Sequence, residues 1–355
     1  MRSVEEHRTR VLGLVAPLPP VRVPLAEALG CVLAEDVVAR VDLPGADNSA
    51  MDGYAVRADD VAGATPSAPV RLPVDGDLLA GDTRRHTLAS ERALRIMTGA
   101  PLPDGADAVV PVEDTDGGTA TVELRAAPGP GRHVRRRGED VLVGDVVLRA
   151  GCRLAPGHLA LAAASNHPHL SVVPRPRVGV LSTGDELVPP GAELRHGQVV
   201  DSNAVMIAAL VAAAGGEVVH TGHLRDDAGA VRALLEHVPE EPDLLLTTGG
   251  VSMGAADTVK EVLTAAGVDF ARVAVRPGMP QGCGQLGPSR TPVLTLPGNP
   301  VSSFVSFHVF VLPVLRRLAG LDPDRDGAVE LPAAASWRSA PGKVEYTRVA
   351  VGADG

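Results

Sequence analysis

Three glycine-marked turns carry the first chemical signal in the chain: Ser182-Thr183-Gly184-Asp185-Glu186-Leu187, Thr247-Thr248-Gly249-Gly250-Val251-Ser252-Met253-Gly254, and Leu296-Pro297-Gly298-Asn299-Pro300-Val301-Ser302-Ser303. Each follows an apolar run that reads as a buried strand, and the latter two lead into helical patterns. A strand that ends in small residues and opens a helix presents unpaired backbone N–H groups and the positive end of the helix dipole. That setting suits phosphate or a similar anion. Three such turns in one domain point to one composite site. Two of them carry acids, Asp185 and Glu186 in the first and Asp257 just beyond the second. Carboxylates beside a phosphate site imply a divalent cation between them. Phosphate chemistry is therefore the first expectation.

The elements that must position these turns lie after Pro174-Arg175-Pro176, where the character of the chain changes. Strand Val178–Leu181 leads to a helix over about Ser202–Ala214, which Asp201 or Ser202 can cap and Gly215 ends. Then come strand Glu217–Leu224, a helix from about Asp227 to His237, strand Asp243–Thr247 and a helix from about Thr258 to Ala266. Strands Phe270–Val275 and Pro292–Leu296 and a helix from about Val301 to Leu318 complete the pattern. Repeated strand–helix units predict a mainly parallel sheet with right-handed crossovers, whose ligands bind outside the carboxyl ends of the strands. Topology thus predicts convergence of the three turns. Before residue 174, residues 4 to 16 read as a helix, Val21 to Glu35 as an extended entry and a short helix, and 39–144 mostly as strand and turn. Residues 145–173 return to an extended run and a helix, so a β-rich module interrupts another domain.

Composition bounds this reading. A chain of 355 residues is long enough for roughly two to four domains. Apolar residues make up 45% but aromatics only 2%, so the cores are built from Val, Leu and Ala, as in parallel sheets covered by helices. The net charge of −10 repels phosphate backbones and anionic membranes at long range, which argues against nucleic-acid or membrane partners. Any anion must be caught locally. The one dense basic stretch, Arg132-His133-Val134-Arg135-Arg136-Arg137, runs into Gly138-Glu139-Asp140 and reads equally as a solvated loop or an anion clamp. Cys31, Cys152 and Cys283 lack disulfide or zinc spacing and fit a reducing cytoplasm. The mixed-charge start predicts no secretory signal, and no run approaches the roughly 18 apolar residues of a membrane helix.

Several stretches together resemble the molybdopterin molybdenumtransferase family, to which the gephyrin E domain belongs. They are Asn48 to Val56, Ile96 to Pro103, Arg137-Gly138-Glu139-Asp140, the first two glycine turns with Asp257, Arg276-Pro277-Gly278-Met279-Pro280, and Leu296 to Ser303. The motifs stand in family order over nearly the whole chain, which is far more specific than any single glycine turn. The resemblance implies an α/β multidomain protein with a central parallel-sheet, MogA-like domain over 174–323 and an inserted β-rich domain over 39–144. It further implies a discontinuous linker domain over 21–38 and 145–173, an N-terminal helix over 1–20 and a small, truncated C-terminal β domain over 324–355. It implies a homodimer that inserts molybdate into adenylylated molybdopterin, releasing AMP and the molybdenum cofactor with Mg²⁺ assistance. A molybdopterin adenylyltransferase is a partner candidate.

Carried over by the resemblance, the functional positions are Asp52, Thr98, Asp140, Glu186, Asp226 and Asp257. Glu186, Asp226 and Asp257 would hold or orient the Mg²⁺ on the pyrophosphate. The amides of Gly249, Gly250 and Ser252 would cradle phosphates, with Thr183, Gly184, Asp185, Gly254, Pro297, Gly298 and Asn299 in the same site. Asp52, Thr98 and Asp140 belong to the inserted module and would reach across a dimer into the partner's pocket. Arg276 and Arg348, with the Ser302 hydroxyl, are the molybdate candidates, since a tetrahedral dianion needs convergent donors. Arg276 stands where many relatives carry Lys, which changes the donor geometry. Lys260 lies one turn after Asp257 and either pairs with it or meets an anion.

Duller readings stand beside these. Asp226 and Asp257 each precede a helix and could cap it, Asp52 could form an Asx-turn before Gly53, and Asn299 before Pro300 is a capping arrangement in its own right. His308, in an apolar helix, is expected to pack. Met51, Met97, Met206 and Met279 read as core or pocket lining. Two other functions remain open on the sequence: a molybdopterin adenylyltransferase, which lacks the first half of this chain, and a non-catalytic molybdopterin-binding scaffold or carrier. The second is opposed by an acid cluster that repels itself without a metal.

Overall fold

The computed structural model describes residues 1–225, 227–229, 233, 242–250, 258–325, 327–339 and 341–352. The chain forms two compact units, one comprising residues 36–149 and 156–169, the other 1–35, 150–155 and 170–355. The stretches 21–38 and 145–173 are thus divided between them.

The unit of residues 36–149 and 156–169 is built on a five-stranded sheet. Its strands are β1 (Gly53–Val56), β2 (Val70–Leu78), β3 (Ala93–Ile96), β4 (Ala108–Pro111) and β5 (Thr121–Leu124), in the order β4-β1-β3-β2-β5. All pairs are antiparallel except β2 with β3. One face buries Tyr54, Val56, Ala93, Val110, Val122 and Leu124, and the other buries Ala55, Leu94, Ile96 and Val109, the period-two alternation of a sheet covered on both sides. Residues Asn48–Ser49 pair with Val134–Arg135 beside this sheet, and the helix Pro156–Ala164 belongs to the same unit.

The other unit begins with α1 (Val4–Leu12), opened by a reciprocal cap between Ser3 and Glu6. Its six-stranded sheet comprises β6 (Arg177–Thr183), β7 (Glu217–Leu224), β8 (Leu244–Thr248), β9 (Asp269–Arg272), β10 (Pro280–Leu286) and β11 (Thr291–Leu296). The order is β7-β6-β8-β11-β10-β9, with the first four strands parallel and the last two antiparallel. Helices α2 (Asn203–Ala214) and α3 (Thr258–Ala265) and the unbroken helix α4 over residues 300–318 complete the layers. Val178, Val180, Leu244, Leu246, Leu294 and Leu296 face α1, α2 and α4, while Leu181, Leu245 and Val293 face Val259 and Leu263 of α3. Near-continuous aliphatic strands are what a doubly covered parallel sheet requires.

The expected succession of strands along the chain and the mainly parallel sheet are found, with most bounds, and four differences stand out. Strand β10 was not foreseen, because Gly282 and Gly284 erase its periodicity. Gly282 is needed there, since a Cβ would lie 2.0 Å from Thr295 Oγ1. The expected strand Phe270–Val275 is β9 followed by the short strand Val275–Arg276, which pairs in parallel with Val344–Glu345. Those C-terminal residues therefore pair with this unit, and among the described residues after 323 no other strand is formed. Third, α4 is long and apolar enough to cross a membrane by length and composition, with mean hydropathy 1.4, yet 56% of it is buried inside the unit. Ser302, Ser303, Ser306 and His308 interrupt its apolar run and hide it in the sequence. Fourth, His308 is exposed on α4, its ring 4.7 Å from that of Phe304, where it was expected to pack inside. Most of the helix expected over Asp227–His237 lies outside the described residues.

A buried histidine joins the N-terminal helix to α4. His7 is fully inaccessible, its ring edge-on to Phe310 at 4.8 Å, with Nδ1 3.3 Å from Arg2 Nη1 and Nε2 without a partner. Burial first, and then the Arg2 charge, lower its pKa to about 4. The unfolded chain therefore binds this proton more readily than the folded one, so stability falls as pH drops from about 6.5 towards 4. We expect on the order of 2 kcal/mol lost through His7 between pH 7 and pH 5. Urea unfolding of wild type and His7→Phe across that range checks this: a wild-type slope no steeper than the variant's refutes it.

Candidate functional site

Three neighbouring parallel strands, β6, β8 and β11, end side by side, and their carboxyl ends carry the three glycine turns. Register fixes this alignment: Ser182 is opposite Thr248, and Thr248 opposite Leu296. Side-chain chemistry changes at the same rung. Up to it the strands are aliphatic, whereas Ser182, Thr183, Thr247, Thr248 and Thr295 are buried hydroxyl residues. Thr183 Oγ1 donates to Thr248 O at 3.2 Å and the Gly249 amide to Leu296 O at 3.1 Å, so each turn is tied to its neighbour. The third turn closes on the second: a Cβ placed on Gly298 would lie 3.6 Å from Gly249 Cα.

Of the first turn, Thr183 and Gly184 are buried, while Asp185 and Glu186 are exposed. The Glu186 carboxylate folds back over the turn, since a Cβ on Gly184 would lie 2.5 Å from its Oε2. His223 Nε2 donates to Gly184 O at 2.7 Å and fixes the turn from β7. In the second turn Gly249 and Gly250 both take positive φ, at 88° and 64°. Ser252, Gly254 and Asp257, like Asp226, lie outside the described residues. In the third turn Pro297 is buried and Gly298 exposed, and Asn299 Oδ1 caps α4 by accepting from the Ser302 amide at 3.2 Å. The α4 N-terminus is thus supplied with one acceptor by its own cap, and Pro300 at its first position has no N–H to offer.

The Arg276-Pro277-Gly278 turn packs on the same helix, where a Cβ on Gly278 would lie 3.3 Å from Ser302 O, and Gln281 Nε2 holds it through Gly278 O at 2.7 Å. Ser302 is 7% exposed and its hydroxyl donates to Asn299 Oδ1 at 3.4 Å. The exposed Arg276 guanidinium lies 3.6 Å from Glu345 Oε1 in the C-terminal segment. Arg348 lines a cavity of about 500 Å³ with Met206, Phe304 and Tyr346 along α4. Lys260 Nζ is 5.7 Å from the centre of the Phe270 ring. Among the described residues no group of three or more His, Cys, Asp or Glu side chains is placed to hold a metal ion.

In the β-rich unit, Asp52 Oδ1 accepts from the amide and the hydroxyl of Thr98, at 2.6 and 2.7 Å. The amide bond first and the hydroxyl second hold its carboxyl below the ordinary Asp range. These two residues are therefore a pair, as sequence spacing could not reveal. Asp140 stands on the basic loop. There Arg136 pairs with Asp47 at 2.6 Å and Arg137 with Asp42 at 2.5 Å, so two of the cluster's four arginines are neutralised by local acids. Arg132 and Arg135 remain exposed.

The sheet order, with helices on both faces, defines a doubly wound α/β domain, a class whose ligands bind outside the carboxyl ends of the strands. Residues 2–165 match the MoeA N-terminal region (domain I and II), and residues 179–317 match a probable molybdopterin binding domain. Molybdopterin molybdenumtransferase 2 of Mycobacterium tuberculosis (strain ATCC 25618 / H37Rv) is 49% identical over 356 residues, covering 98% of this chain and 87% of that protein. The molybdopterin molybdenumtransferase of Haemophilus influenzae is 38% identical over 323 residues, 90% of this chain and 78% of its own. The crystal structure of the molybdopterin biosynthesis moeA protein from Pyrococcus horikoshii OT3 aligns with a TM-score of 0.69 at 31% identity, covering 91% of this chain and 80% of that one. The chain belongs to the molybdopterin molybdenumtransferase family.

Residue-level reading of the sequence passed over Asn203, His223 and Gln281, which brace the turns from behind. Asp201 or Ser202 is expected to cap α2, and Asn203 carries no expectation of its own. Asp201 does cap α2, its Oδ1 accepting from the Ala204 amide at 3.0 Å, and Asn203 is left for another task.

Gly249 is the position where glycine is indispensable. Its φ of 88° disfavours any side chain, and a Cβ would lie 2.6 Å from Thr183 O. Gly191 has nearly the same φ, 87°, with open space around it. Gly191→Ala should therefore cost about 1 kcal/mol and Gly249→Ala about 2–3 kcal/mol. Denaturant unfolding of the two variants checks this, and equal losses would mean that the close approach of the first two turns is not a constraint.

Proposed function

We propose that this chain is a molybdopterin molybdenumtransferase that transfers molybdenum from molybdate to adenylylated molybdopterin, releasing AMP and the molybdenum cofactor. Family membership over nearly the whole chain supplies the reaction. The observation that carries it is the alignment of three glycine turns along one sheet edge, with Glu186 beside the first.

In this reading the pyrophosphate of the substrate lies across the second and third turns, where the Gly250 amide can meet its oxygens, the Gly249 amide being committed to Leu296 O. Glu186, Asp226 and Asp257 are the proposed Mg²⁺ ligands. Glu186 fits, being an exposed carboxylate at the turn, and because Mg²⁺ keeps several waters and takes one or two carboxylates plus substrate phosphates, no larger cluster is required. When bound, the cation would offset the negative charge that opposes attack on the pyrophosphate. Arg276 and Ser302 stand on adjoining turns and are the proposed molybdate contacts, with Arg348 a further one. Lys260 and Asp185 complete the proposed site.

The acids of the β-rich unit, Asp52 and Asp140, with Thr98, are proposed to act on the pocket of a second subunit, which makes the working form a homodimer. The Asp52–Thr98 pair supports this. A depressed carboxyl pKa keeps Asp52 ionised, and its hydrogen bonds orient it without burying it. A cytoplasmic site of action is supported by three free cysteines.

Purified protein given adenylylated molybdopterin and Mg²⁺ should release AMP in a molybdate-dependent manner, and Glu186→Ala should lower that rate by about a hundredfold. Tight binding without release by the unmutated protein would instead favour a carrier. If sites are shared between subunits, mixing inactive Asp52→Ala and Glu186→Ala proteins should restore up to about a quarter of wild-type turnover, because half of the chains enter mixed dimers with one intact site each. Absence of any recovery after verified subunit exchange would end the shared-site proposal.

A further inference from the structure

Asn203 opens α2 at the edge of the three turns, and its side chain is 8% exposed. Its Nδ2 donates to Gly298 O at 2.8 Å. Because a carbonyl can only accept, this bond settles which way the amide faces, and Oδ1 is the other end of the same planar group. That oxygen is buried and has no hydrogen-bond partner among the described residues. A buried acceptor left unmade costs stability, so a native structure that keeps one at a ligand-binding edge calls for a donor supplied from outside the chain. Gly298, to which the amide is bound, is exposed, and Gly249 beside it is only half-buried, so the turn that Asn203 anchors borders solvent.

The chemistry of the donor can be narrowed. Phosphate and molybdate oxygens at neutral pH are acceptors, and two acceptors face to face repel. An anion would therefore be kept off this corner of the site and left to the backbone amides of the neighbouring turns. What fits an uncharged carbonyl is a neutral N–H. The pterin ring presents such groups in its 2-amino substituent and its ring N3–H. Adenine also carries an amino group, but Asn203 lies inside the segment 179–317 that matches a molybdopterin binding domain.

We infer that Asn203 is a substrate-binding residue that reads the pterin ring: Nδ2 locks the Gly298 turn in place, and Oδ1 accepts a hydrogen bond from the pterin amino or N3–H group. The inference rests on the proposed function and assigns one end of the substrate within it. The acceptor-only corner beside donor-rich turns would orient the molecule, pterin towards α2 and phosphate towards the glycine amides.

Calorimetric titration of the full chain with four probes tests this: 6-hydroxymethylpterin, its analogue methylated at N3, its analogue methylated at the 2-amino group, and AMP. The unmutated protein should bind the parent pterin roughly five- to tenfold more tightly than at least one methylated analogue, the worth of one neutral hydrogen bond. Asn203→Ala should lose that discrimination while its affinity for AMP stays within about twofold. The methylated probes put the same question to the unmutated protein, so the answer does not depend on the variant's folding. Equal binding of all pterins by the unmutated protein overturns the inference. So does a parallel loss of AMP affinity in Asn203→Ala, which would mean that the side chain only props the turn. AMP binding without any pterin binding overturns the inference and leaves the proposed function standing, whereas binding of neither probe overturns both.

Discussion

Everything at this site depends on the parallel hydrogen-bond ladder that joins β6, β8 and β11. Because the three strands run the same way and are paired in register, their ends coincide, and three turns far apart in sequence are held within side-chain reach. A parallel ladder requires long crossovers, and those crossovers are the helices that cover the sheet. The same geometry thus creates the core and the place where the core stops. Ser182, Thr183, Thr247, Thr248 and Thr295 mark that stop: hydroxyls take over from Leu and Val at the last rungs, so the strand ends carry hydrogen-bonding capacity into a layer that is still closed to solvent.

Order in the turns comes from both sides of the sheet edge. His223, Asn203 and Gln281 each hold a turn carbonyl or its neighbour from an adjacent element, and Thr183 and the Gly249 amide tie turn to turn. Backbone groups that must meet a charged ligand gain from being fixed beforehand, because no reorganisation is then required when the ligand arrives. The side chains that would meet the ligand directly, Glu186 and Arg276, are by contrast exposed. A fixed backbone cradle with exposed charges at its rim suits a substrate that must enter, react and leave.

How much of this could be read from the sequence follows the physics of each signal. The strands and α2 were legible because branched aliphatics, Asp201 and Gly215 speak locally. The convergence of the turns was legible because topology dictates it. Strand β10 was not, since Gly282 and Gly284 answer to Thr295 and Gly267, contacts that no local pattern encodes. The Asp52–Thr98 pair was named residue by residue through family resemblance, but its hydrogen bonds arise from a loop meeting a distant turn. Asn203 gives no local signal: Asp201 accounts for the polar run before α2 as a cap, and the bond from Asn203 to Gly298 joins residues far apart in sequence. His308 misled in the other direction, for an apolar helix can turn one stripe outward, and only the packed fold shows which stripe.

The contact between His7 and Phe310 also bears on how the chain is made. Helix α1 is synthesised about 300 residues before α4, the surface that its His7 meets. At about 5–20 residues per second that surface is synthesised roughly 15–60 s after α1. During that interval the buried face of α1, with Val4, His7 and Val11, has nothing native to rest on. The β-rich unit, whose residues all fall within 36–169, is fully synthesised well inside that delay. Closing α1 onto α4 therefore follows the synthesis of the whole β-rich unit.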